Sequence, residues 1–112
     1  MTNQLVILRK DEEFQQFRKA KSFSSPSLKL RARLNHQNFP RFGFIIPKKT
    51  MAKVTDRNKV KRRLKAILQK HLTEIKAADL LLFPAKTALK LKFADLEKQL
   101  IDLFKQAKLW NS

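Results

Sequence analysis

The sequence contains no cysteine and only one glycine among its 112 residues. Without cysteine the chain can form neither a disulfide framework nor a thiolate-ligated zinc site, which agrees with a reducing compartment. The one glycine, Gly43, is too little for the glycine-rich loops that cradle phosphates. These absences exclude the common nucleotide-binding and zinc-binding motifs.

Acidic residues and long apolar runs are also scarce. Nine Asp and Glu stand against 26 Lys and Arg, and no pair of acids is placed for general acid–base catalysis. His36 and His71 are isolated and are predicted to lie in a turn and near a helix end, so we predict neither a catalytic residue nor a metal ligand. No apolar run approaches the roughly 18 residues that span a bilayer, and the N-terminus does not resemble a signal peptide. We therefore expect a cytoplasmic protein that is not associated with a membrane.

Positive charge is what the sequence has in excess, and it is concentrated in the middle of the chain. The formal net charge is +17, and residues 27–72 hold 14 cations against a single acid, Asp56. Like charges four residues apart, as at Arg57, Lys61 and Lys65, destabilise a helix by roughly 0.2–0.5 kcal/mol per pair. So localised a field indicates a polyanionic partner, with nucleic acid ahead of a membrane surface. A solvated charge run is the less favoured explanation.

Alternating side chains predict two strands, and a short apolar run predicts a third. Residues 28–34 alternate Leu or Ala with Lys or Arg, so one face of the strand is apolar and the other cationic. Residues 41–47 show the same period and are predicted to form a hairpin with the first strand, where Gly43 suggests a bulge or a close approach by another backbone. The segment 22–27, SFSSPS, is predicted to break regular structure. Residues 79–84, DLLLFP, are typical of a buried strand.

Apolar stripes at helical spacing predict about three helices in one domain of residues 1–112. The first covers 11–20 and has acids in its first turn. The second covers about 57–73, begins after a cap at Thr55 or Asp56, and has one apolar face with cations around the rest. The third covers about 93–108 and has mixed charges outside. Because the second helix joins two strands, we predict a βαβ unit, a partly parallel sheet, and helices on one sheet face.

The stretch 41–63, RFGFIIPKKTMAKVTDRNKVKRR, resembles the bacterial ribonuclease P protein subunit. Lys59 stands where this family commonly has a second arginine, so the charge is kept and the bidentate guanidinium fork is lost. One matching feature is an Arg-x-Gly-x-x strand at Arg41 and Gly43, and a second is the lysine pair Lys48 and Lys49. The third is a helix start like Arg-Asn-Arg-x-Lys-Arg, at Arg57, Asn58, Lys61 and Arg62.

The resemblance implies both a fold and an activity. The fold is α+β, a small mixed β-sheet packed with about three helices, ribosomal-protein-S5-domain-2-like, with a left-handed βαβ crossover that is an exception to the usual handedness. The activity is that of a ribonucleoprotein endonuclease, a hydrolase in which a catalytic RNA removes the 5′ leader of precursor tRNA. The RNA would hold the Mg²⁺, and the protein alone would be non-catalytic, bind no cofactor and need no obligate protein partner.

The resemblance also implies two RNA-contacting surfaces. Core packing is the alternative role for each phenylalanine named below, and it is favoured for Phe44. The surface for the catalytic RNA subunit would comprise Lys53, Arg57, Asn58, Lys59, Lys61, Arg62, Arg63 and Lys65. The surface for the leader or substrate, where aromatic rings beside cations suit single strands, would comprise Phe14, Phe17, Lys29, Arg31, Arg33, Phe44, Lys48 and Lys49.

Three other functions would fit the charge. A ribosomal protein or a general RNA-binding chaperone would share the charge and nearly the same fold, and would lack only the motif order from Arg41 to Arg63. A DNA-binding helix module is disfavoured by the alternating strands. A membrane-surface protein would need apolar residues on the exposed side of the basic helix, and that side is charged here.

Overall fold

The computed structural model describes residues 5–8, 20–35 and 37–111. The predicted α+β class is confirmed. The predicted helix at 11–20, with Phe14 and Phe17, lies outside the described residues except for Ala20, and so does His36. The described elements are strands β1 (Val6–Ile7), β2 (Lys21–Ser24), β3 (Leu28–Arg33), β4 (Arg41–Phe44) and β5 (Asp79–Pro84), helices α1 (Val54–Lys70) and α2 (Phe93–Gln106), and short 3₁₀ turns at Leu72–Glu74 and Lys86–Lys90.

The five strands form one mixed sheet in the order β1-β4-β5-β3-β2. Strand β4 is parallel to β1 and β5, whereas β3 is antiparallel to β5 and β2. The predicted hairpin between 28–34 and 41–47 is therefore wrong, because β5 lies between those two strands. As the most apolar strand, β5 takes the central position, where both of its edges are covered. The predicted βαβ unit, β4-α1-β5, is confirmed, and the handedness of its crossover stays a prediction.

One face of the sheet carries both helices and the main core. Leu30 pairs with Leu82 and Phe42 pairs with Leu80, and all four side chains are fully buried there. Complete burial of such a side chain contributes about 1.5–3 kcal/mol, so this core fixes both helices on the sheet. The helices contribute Val60, Leu64, Ile67, Leu68, Leu96, Leu100, Leu103 and Phe104.

The other face carries the alternating cations of β3 and a small apolar cluster. Arg31, Leu81 and Gly43 lie side by side on neighbouring strands. The ladder through Gly43 is unbroken and its φ is not positive, so the predicted bulge is absent. The missing side chain at Gly43 instead leaves space for Leu8 and Leu81, on either side of it, to join one cluster. That cluster comprises Leu8, Ala20, Ile45, Leu81 and Phe83.

The segment 22–27, predicted as a break, is partly a strand. Phe23 in β2 pairs with β3 and packs against the main core, which gives this edge strand an anchor. The chain turns only after β2, where Gln99 Oε1 on α2 accepts hydrogen bonds from the Ser25 hydroxyl (3.1 Å) and the Ser27 amide (2.9 Å). The break is therefore confined to the residues after Ser24.

Leu34 was expected inside the sheet and is 81% exposed. Strand β3 ends at Arg33, which pairs with Asp79, the first residue of β5. Among the described residues the β3 ladder does not continue beyond that pair, so no described strand holds Leu34 over the core. The two-residue β1 is too short to produce an alternating pattern, so no periodicity in the sequence indicated it.

Helix α1 begins earlier than predicted. Its N-cap is Lys53, whose backbone is extended and whose side chain makes no capping hydrogen bond. Thr55 and Asp56, the predicted caps, lie instead in the first turn, because the Arg57 amide already donates to the Lys53 carbonyl. The predicted apolar stripe is buried at Val60, Leu64, Ile67 and Leu68. Its fifth residue, Leu72, lies beyond the end of the helix at Lys70 and is half-buried.

Helix α2 ends in a motif that favours glycine. Lys108 has φ 60°, in the left-handed region. The Lys108 amide donates to the Lys105 carbonyl (3.1 Å), and the Leu109 amide donates to the Phe104 carbonyl (2.9 Å). These bonds make a Schellman-type cap, in which a residue with a side chain is disfavoured at the position that Lys108 occupies.

No helix within the described residues is long and apolar enough to cross a membrane.

Candidate nucleic-acid interface

The outward side of α1 presents cations and an amide around a shallow depression. Asn58, Arg62 and Lys65 are exposed, and Lys61 is half-buried. Their spacing puts them opposite or beside the apolar stripe, which is held against the sheet. No acidic residue is among the described residues that line it. This basic depression has a volume of about 490 Å³ and is lined by Thr55, Asn58, Lys61, Arg62 and Lys65.

Two arginines of the same helix, Arg57 and Arg63, contact the protein's own backbone. Arg57 Nη1 donates to the carbonyls of Met51 (2.7 Å) and Ala52 (3.1 Å) in the loop before the helix. Arg63 donates to carbonyls at the 3₁₀ turn 86–90 and just after it, including that of Ala88 (3.3 Å). The residues predicted to contact the RNA subunit thus fall into two groups. The guanidinium groups of Arg57 and Arg63 hold α1 against neighbouring segments of the protein, and the residues of the depression do not belong to that group.

A buried carboxylate at one end of the sheet engages two further arginines. Asp79 has no solvent exposure. Arg41 donates to it through Nε and Nη2, at 2.7 Å each, and Arg33 Nη2 donates at 2.9 Å. Asn35 Nδ2 donates to its Oδ1 at 2.9 Å. We call these four residues the Asp79 centre.

The carboxyl group of Asp79 has a lowered pKa and carries a negative charge within the Asp79 centre. Burial raises the pKa of the Asp79 carboxyl, but the hydrogen bonds from Arg41, Asn35 and Arg33 outweigh it, so the pKa lies below its usual value. The carboxylate is therefore ionised at neutral pH and neutralises part of the arginine charge beside it. Sequence analysis missed this centre, although a lone acid at the start of the apolar strand DLLLFP was a signal for it.

The residues predicted to contact the leader are only partly brought together. Lys29 is exposed and Arg31 half-buried on the sheet face opposite the helices. Phe44 is in register with Leu82 and packs against the main core, so it lies on the other face from both. Lys48 and Lys49 are exposed in the turn between β4 and α1, at the sheet end where Lys29 lies. Arg33 lies at the other end, in the Asp79 centre.

His71 lies at the C-terminal end of α1, as predicted, and joins that end to α2. Its Nε2 lies 2.8 Å from Glu97 Oε2, and its Nδ1 lies 3.4 Å from Glu74 Oε2. Its ring is 5.4 Å from that of Trp110. The hydrogen bond with His71, then that with Lys70, lowers the pKa of the Glu97 carboxyl. This arrangement fastens the end of the basic helix away from the depression.

Arginine and lysine are distributed differently over the described part of the chain. Among its arginines only Arg62 is exposed, whereas among its lysines only Lys61 is not. The guanidinium fork can bond several acceptors in fixed geometry, and the lysine ammonium is a strongly hydrated point charge. The protein thus uses most of these arginines internally and presents lysines to the solvent.

Comparisons with known proteins agree with this architecture. A family model for Ribonuclease P matches residues 2–108. The Ribonuclease P protein component of Mycoplasma mycoides is 38% identical over 76 residues, covering 66% of this chain and 69% of the relative. That of Clostridium botulinum strain 657 is 36% identical over 107 residues, covering 93% and 96%.

Two solved structures have the same fold. The Staphylococcus aureus RNase P protein superposes with a TM-score of 0.86 at 23% identity, covering 96% of this chain and 100% of that chain. The Thermotoga maritima RNase P protein superposes with a TM-score of 0.80 at 27% identity, covering 88% and 94%.

Proposed function

Because the chain belongs to the ribonuclease P protein family, we propose that its exposed cations hold RNA while a catalytic RNA subunit performs the cleavage. The chain is a protein component of an RNA–protein endonuclease that acts in tRNA 5′-end maturation. The ribosomal-protein and RNA-chaperone alternatives are not favoured.

The basic depression on α1 is the observation that carries this proposal. Its donors are exposed except for the half-buried Lys61, and no acid is among the described residues that line it. The helix beneath it is fixed by a buried apolar stripe and by Arg57 and Arg63. Phosphate oxygens of a folded RNA would neutralise the repulsion between its cations. We assign the RNA subunit to this surface, with Asn58 and Arg62 supplying directional hydrogen bonds and Lys61 and Lys65 supplying charge.

The substrate in this proposal is precursor tRNA, and its leader contacts the sheet face opposite the helices. Lys29 and Arg31 place positive charge there, and Lys48 and Lys49 extend it beyond the end of the sheet. Phe14 and Phe17 supply aromatic rings in the proposal on the strength of the sequence alone. Phe44 is left out, since its ring packs against the main core.

We assign the Mg²⁺ of the reaction to the RNA. Within residues 5–8, 20–35 and 37–111 no group of three or more His, Cys, Asp or Glu could hold a metal ion. Asp79, the most buried carboxylate among the described residues, already accepts hydrogen bonds from two arginines, which makes it a poor ligand. We also propose a cytoplasmic location, because precursor tRNA is the substrate assigned.

Reconstitution with the RNA subunit tests the assignment of the depression. Replacing Arg62 or Lys65 by Ala should lower affinity for the RNA subunit and reduce the salt dependence of binding by about one phosphate contact each. Lys98→Ala, which removes an exposed cation on α2, is the matched control and should leave both quantities nearly unchanged. A salt response that neither helix variant alters would rule out this surface.

The same system tests the division of labour between protein and RNA. Protein freed of RNA should not cleave precursor tRNA, and adding it to the RNA subunit should raise cleavage at low Mg²⁺, since its cations replace part of the counterion requirement. Robust cleavage by RNA-free protein would contradict the proposal.

The proposal that the leader contacts this part of the protein is tested by comparing a substrate that has a leader with mature tRNA. Phe14→Ala should weaken the preference for a substrate with a leader over mature tRNA by about 1–3 kcal/mol, the value of one stacked base, while assembly with the RNA subunit stays intact. Urea unfolding must accompany the measurement. A large loss of stability would show that Phe14 is a core residue and is not free to stack on a base.

A further inference from the structure

The turn between β4 and α1 carries two exposed lysines and is closed by its own backbone. The amides of Thr50 (2.9 Å) and Met51 (3.1 Å) both donate to the Pro47 carbonyl. Lys48 and Lys49 lie between Pro47 and Thr50 and are exposed. These hydrogen bonds fix the shape of the turn. Because they lie within it, they do not determine where the two lysines are held relative to the sheet and α1.

Met51 connects this turn to the body of the protein. Its amide closes the turn, and its side chain, 3% exposed, belongs to the main core. Its carbonyl accepts the 2.7 Å hydrogen bond from Arg57 Nη1, and the Ala52 carbonyl accepts from the same nitrogen at 3.1 Å. Arg57 thus binds the end of the turn directly to the first turn of α1, whose position is determined by its buried stripe.

Arg57 is an unfavourable residue for the helix itself. It lies within the first turn of α1, where the partial positive charge of the helix N-terminus disfavours a cation, and four residues before Lys61. An acidic residue would suit the helix better at this position. The two carbonyl oxygens offset the cost, because they present the negative ends of their dipoles to the guanidinium. The side chain is half-buried against them, which indicates that its role is to hold the segment before the helix.

We propose that Arg57 is a positioning residue and not an RNA contact. Through the two carbonyls that it binds, it sets the place of Lys48 and Lys49. The inference rests on the proposed function, which assigns these lysines to precursor tRNA and the basic depression to the RNA subunit. Arg57 belongs to the helix that carries the depression, so it fixes the distance between the two surfaces. The family resemblance predicts instead that Arg57 contacts the RNA subunit, and the two assignments have different consequences.

A double-mutant cycle tests the proposal, with precursor tRNA bound to the assembled ribonucleoprotein. Changing Lys48 and Lys49 together to Ala should weaken binding about tenfold and lower its salt slope by about two. Arg57→Ala should weaken binding about three- to tenfold, because the lysines lose their position. In the background that lacks both lysines, Arg57→Ala should change affinity by less than about twofold and leave the salt slope unchanged. A direct phosphate contact would lower the slope by about one in either background.

Arg63→Ala is the matched control for a loss of stability. Arg63 also donates to backbone carbonyls, but to those at the 3₁₀ turn 86–90 and just after it. Whatever its size, the effect of Arg63→Ala on precursor tRNA binding should add to that of the two lysine changes, because its bonds are made to a different segment. Urea unfolding of every variant establishes that each is folded under the binding conditions.

Amide hydrogen exchange gives a readout that needs no RNA. In Arg57→Ala the amides of Thr50 and Met51 should exchange about tenfold faster, since the turn loses its attachment to α1 and opens more often. In Arg63→Ala the same two amides should keep their natural rates. A difference between the two variants would show that Arg57 holds the turn itself and does not act only through overall stability.

The proposal is overturned if Arg57→Ala and the lysine changes act additively on precursor tRNA binding, or if the Thr50 and Met51 amides keep natural rates in Arg57→Ala. It is also overturned if Arg57→Ala lowers the salt slope of assembly with the RNA subunit by about one, as a phosphate contact would. Arg62→Ala tests the basic depression separately, so a loss of assembly there leaves the proposed function standing in each of these cases. If the lysine changes leave precursor tRNA binding unaltered, the substrate surface and the positioning role both fail.

Discussion

The Asp79 centre and the basic depression are both rich in positive charge, and they differ in what that charge faces. In the Asp79 centre a fully buried carboxylate accepts hydrogen bonds from Arg33 and Arg41. No acid is among the described residues that line the depression, and of its cations Arg62 and Lys65 are exposed and Lys61 is half-buried. The comparison teaches that local charge density does not identify the cations meant for a partner. The presence or absence of acceptors within the protein does.

The largest expected effect on stability comes from a substitution that breaks the Asp79 centre. Asp79→Ala leaves two partly buried guanidinium groups without their carboxylate and should reduce the free energy of unfolding by about 3–5 kcal/mol. Asp79→Asn is the control for shape, and it should recover only part of the loss because it restores no charge. Urea unfolding measures both variants. An unchanged midpoint for Asp79→Ala would mean that the centre does not stabilise the fold.

The same centre predicts a pH dependence. The pKa of Asp79 is lowered in the folded protein, so its contribution is present above the unfolded pKa of about 3.9 and is lost as pH falls through the folded value. Stability should therefore decline below about pH 4. In Asp79→Asn that decline should be shallower, which unfolding curves at a series of pH values would reveal. A parallel decline in both proteins would assign the acid sensitivity to other carboxylates, such as Glu97.

A smaller effect sharpens the comparison within α1 itself. Arg63→Ala removes hydrogen bonds to backbone carbonyls and should reduce the free energy of unfolding by about 1.5–3 kcal/mol. Arg63→Lys should restore little, because an ammonium cannot reproduce the fork. Arg62→Ala, one residue away, should change stability by no more than about 0.5 kcal/mol and weaken RNA binding.

The two variants Arg63→Ala and Arg62→Ala can also refute the distinction between an arginine that holds the fold and one that contacts RNA. If Arg63→Ala keeps full stability and reduces the salt slope of RNA binding as Arg62→Ala does, then Arg63 contacts RNA. Its bonds to the 3₁₀ turn would then be incidental.

The smallest effect concerns the start of α1. Lys53 occupies the N-cap without a capping hydrogen bond, where Ser would accept one from the helix amides. Lys53→Ser should raise the free energy of unfolding by about 0.5–1 kcal/mol. If Lys53 belongs to the RNA surface, the same change should lower the salt slope by about one. A stabilised variant with natural RNA binding would remove Lys53 from that surface.

The sequence was informative where one physical pattern dominated. The stripe at Val60, Leu64, Ile67 and Leu68 predicted α1, and the run DLLLFP predicted β5, since burial decides both. The strand order could not be read, because the alternation in 28–34 and 41–47 is equally compatible with a direct hairpin. The insertion of β5 between them depends on contacts far apart in the sequence.

The site was predictable in location and less so in its individual residues. A basic helix with a family motif predicted a surface on α1, where the structure has the basic depression, but the pattern of charges could not tell Arg62 from Arg57 or Arg63. That distinction depends on carbonyl acceptors at Met51 and near Ala88, which belong to irregular segments. The role of Arg33 was hidden because its partner, Asp79, is 46 residues away in the sequence.

The position of β5 has a consequence for how the chain is made. It is the last strand in the sequence and the central one in the sheet, joined to β3 on one side and β4 on the other. Until it leaves the ribosome, the earlier strands have no shared partner and the carboxylate that neutralises their arginines is absent. The emerging chain is thus an extended polycation, and cations on strand edges oppose self-association. Because the strand pairing is non-local, we expect folding to occur late in synthesis and in one abrupt step. Strand β5 then completes the sheet and also brings in Asp79, whose carboxylate neutralises the arginines of the earlier strands.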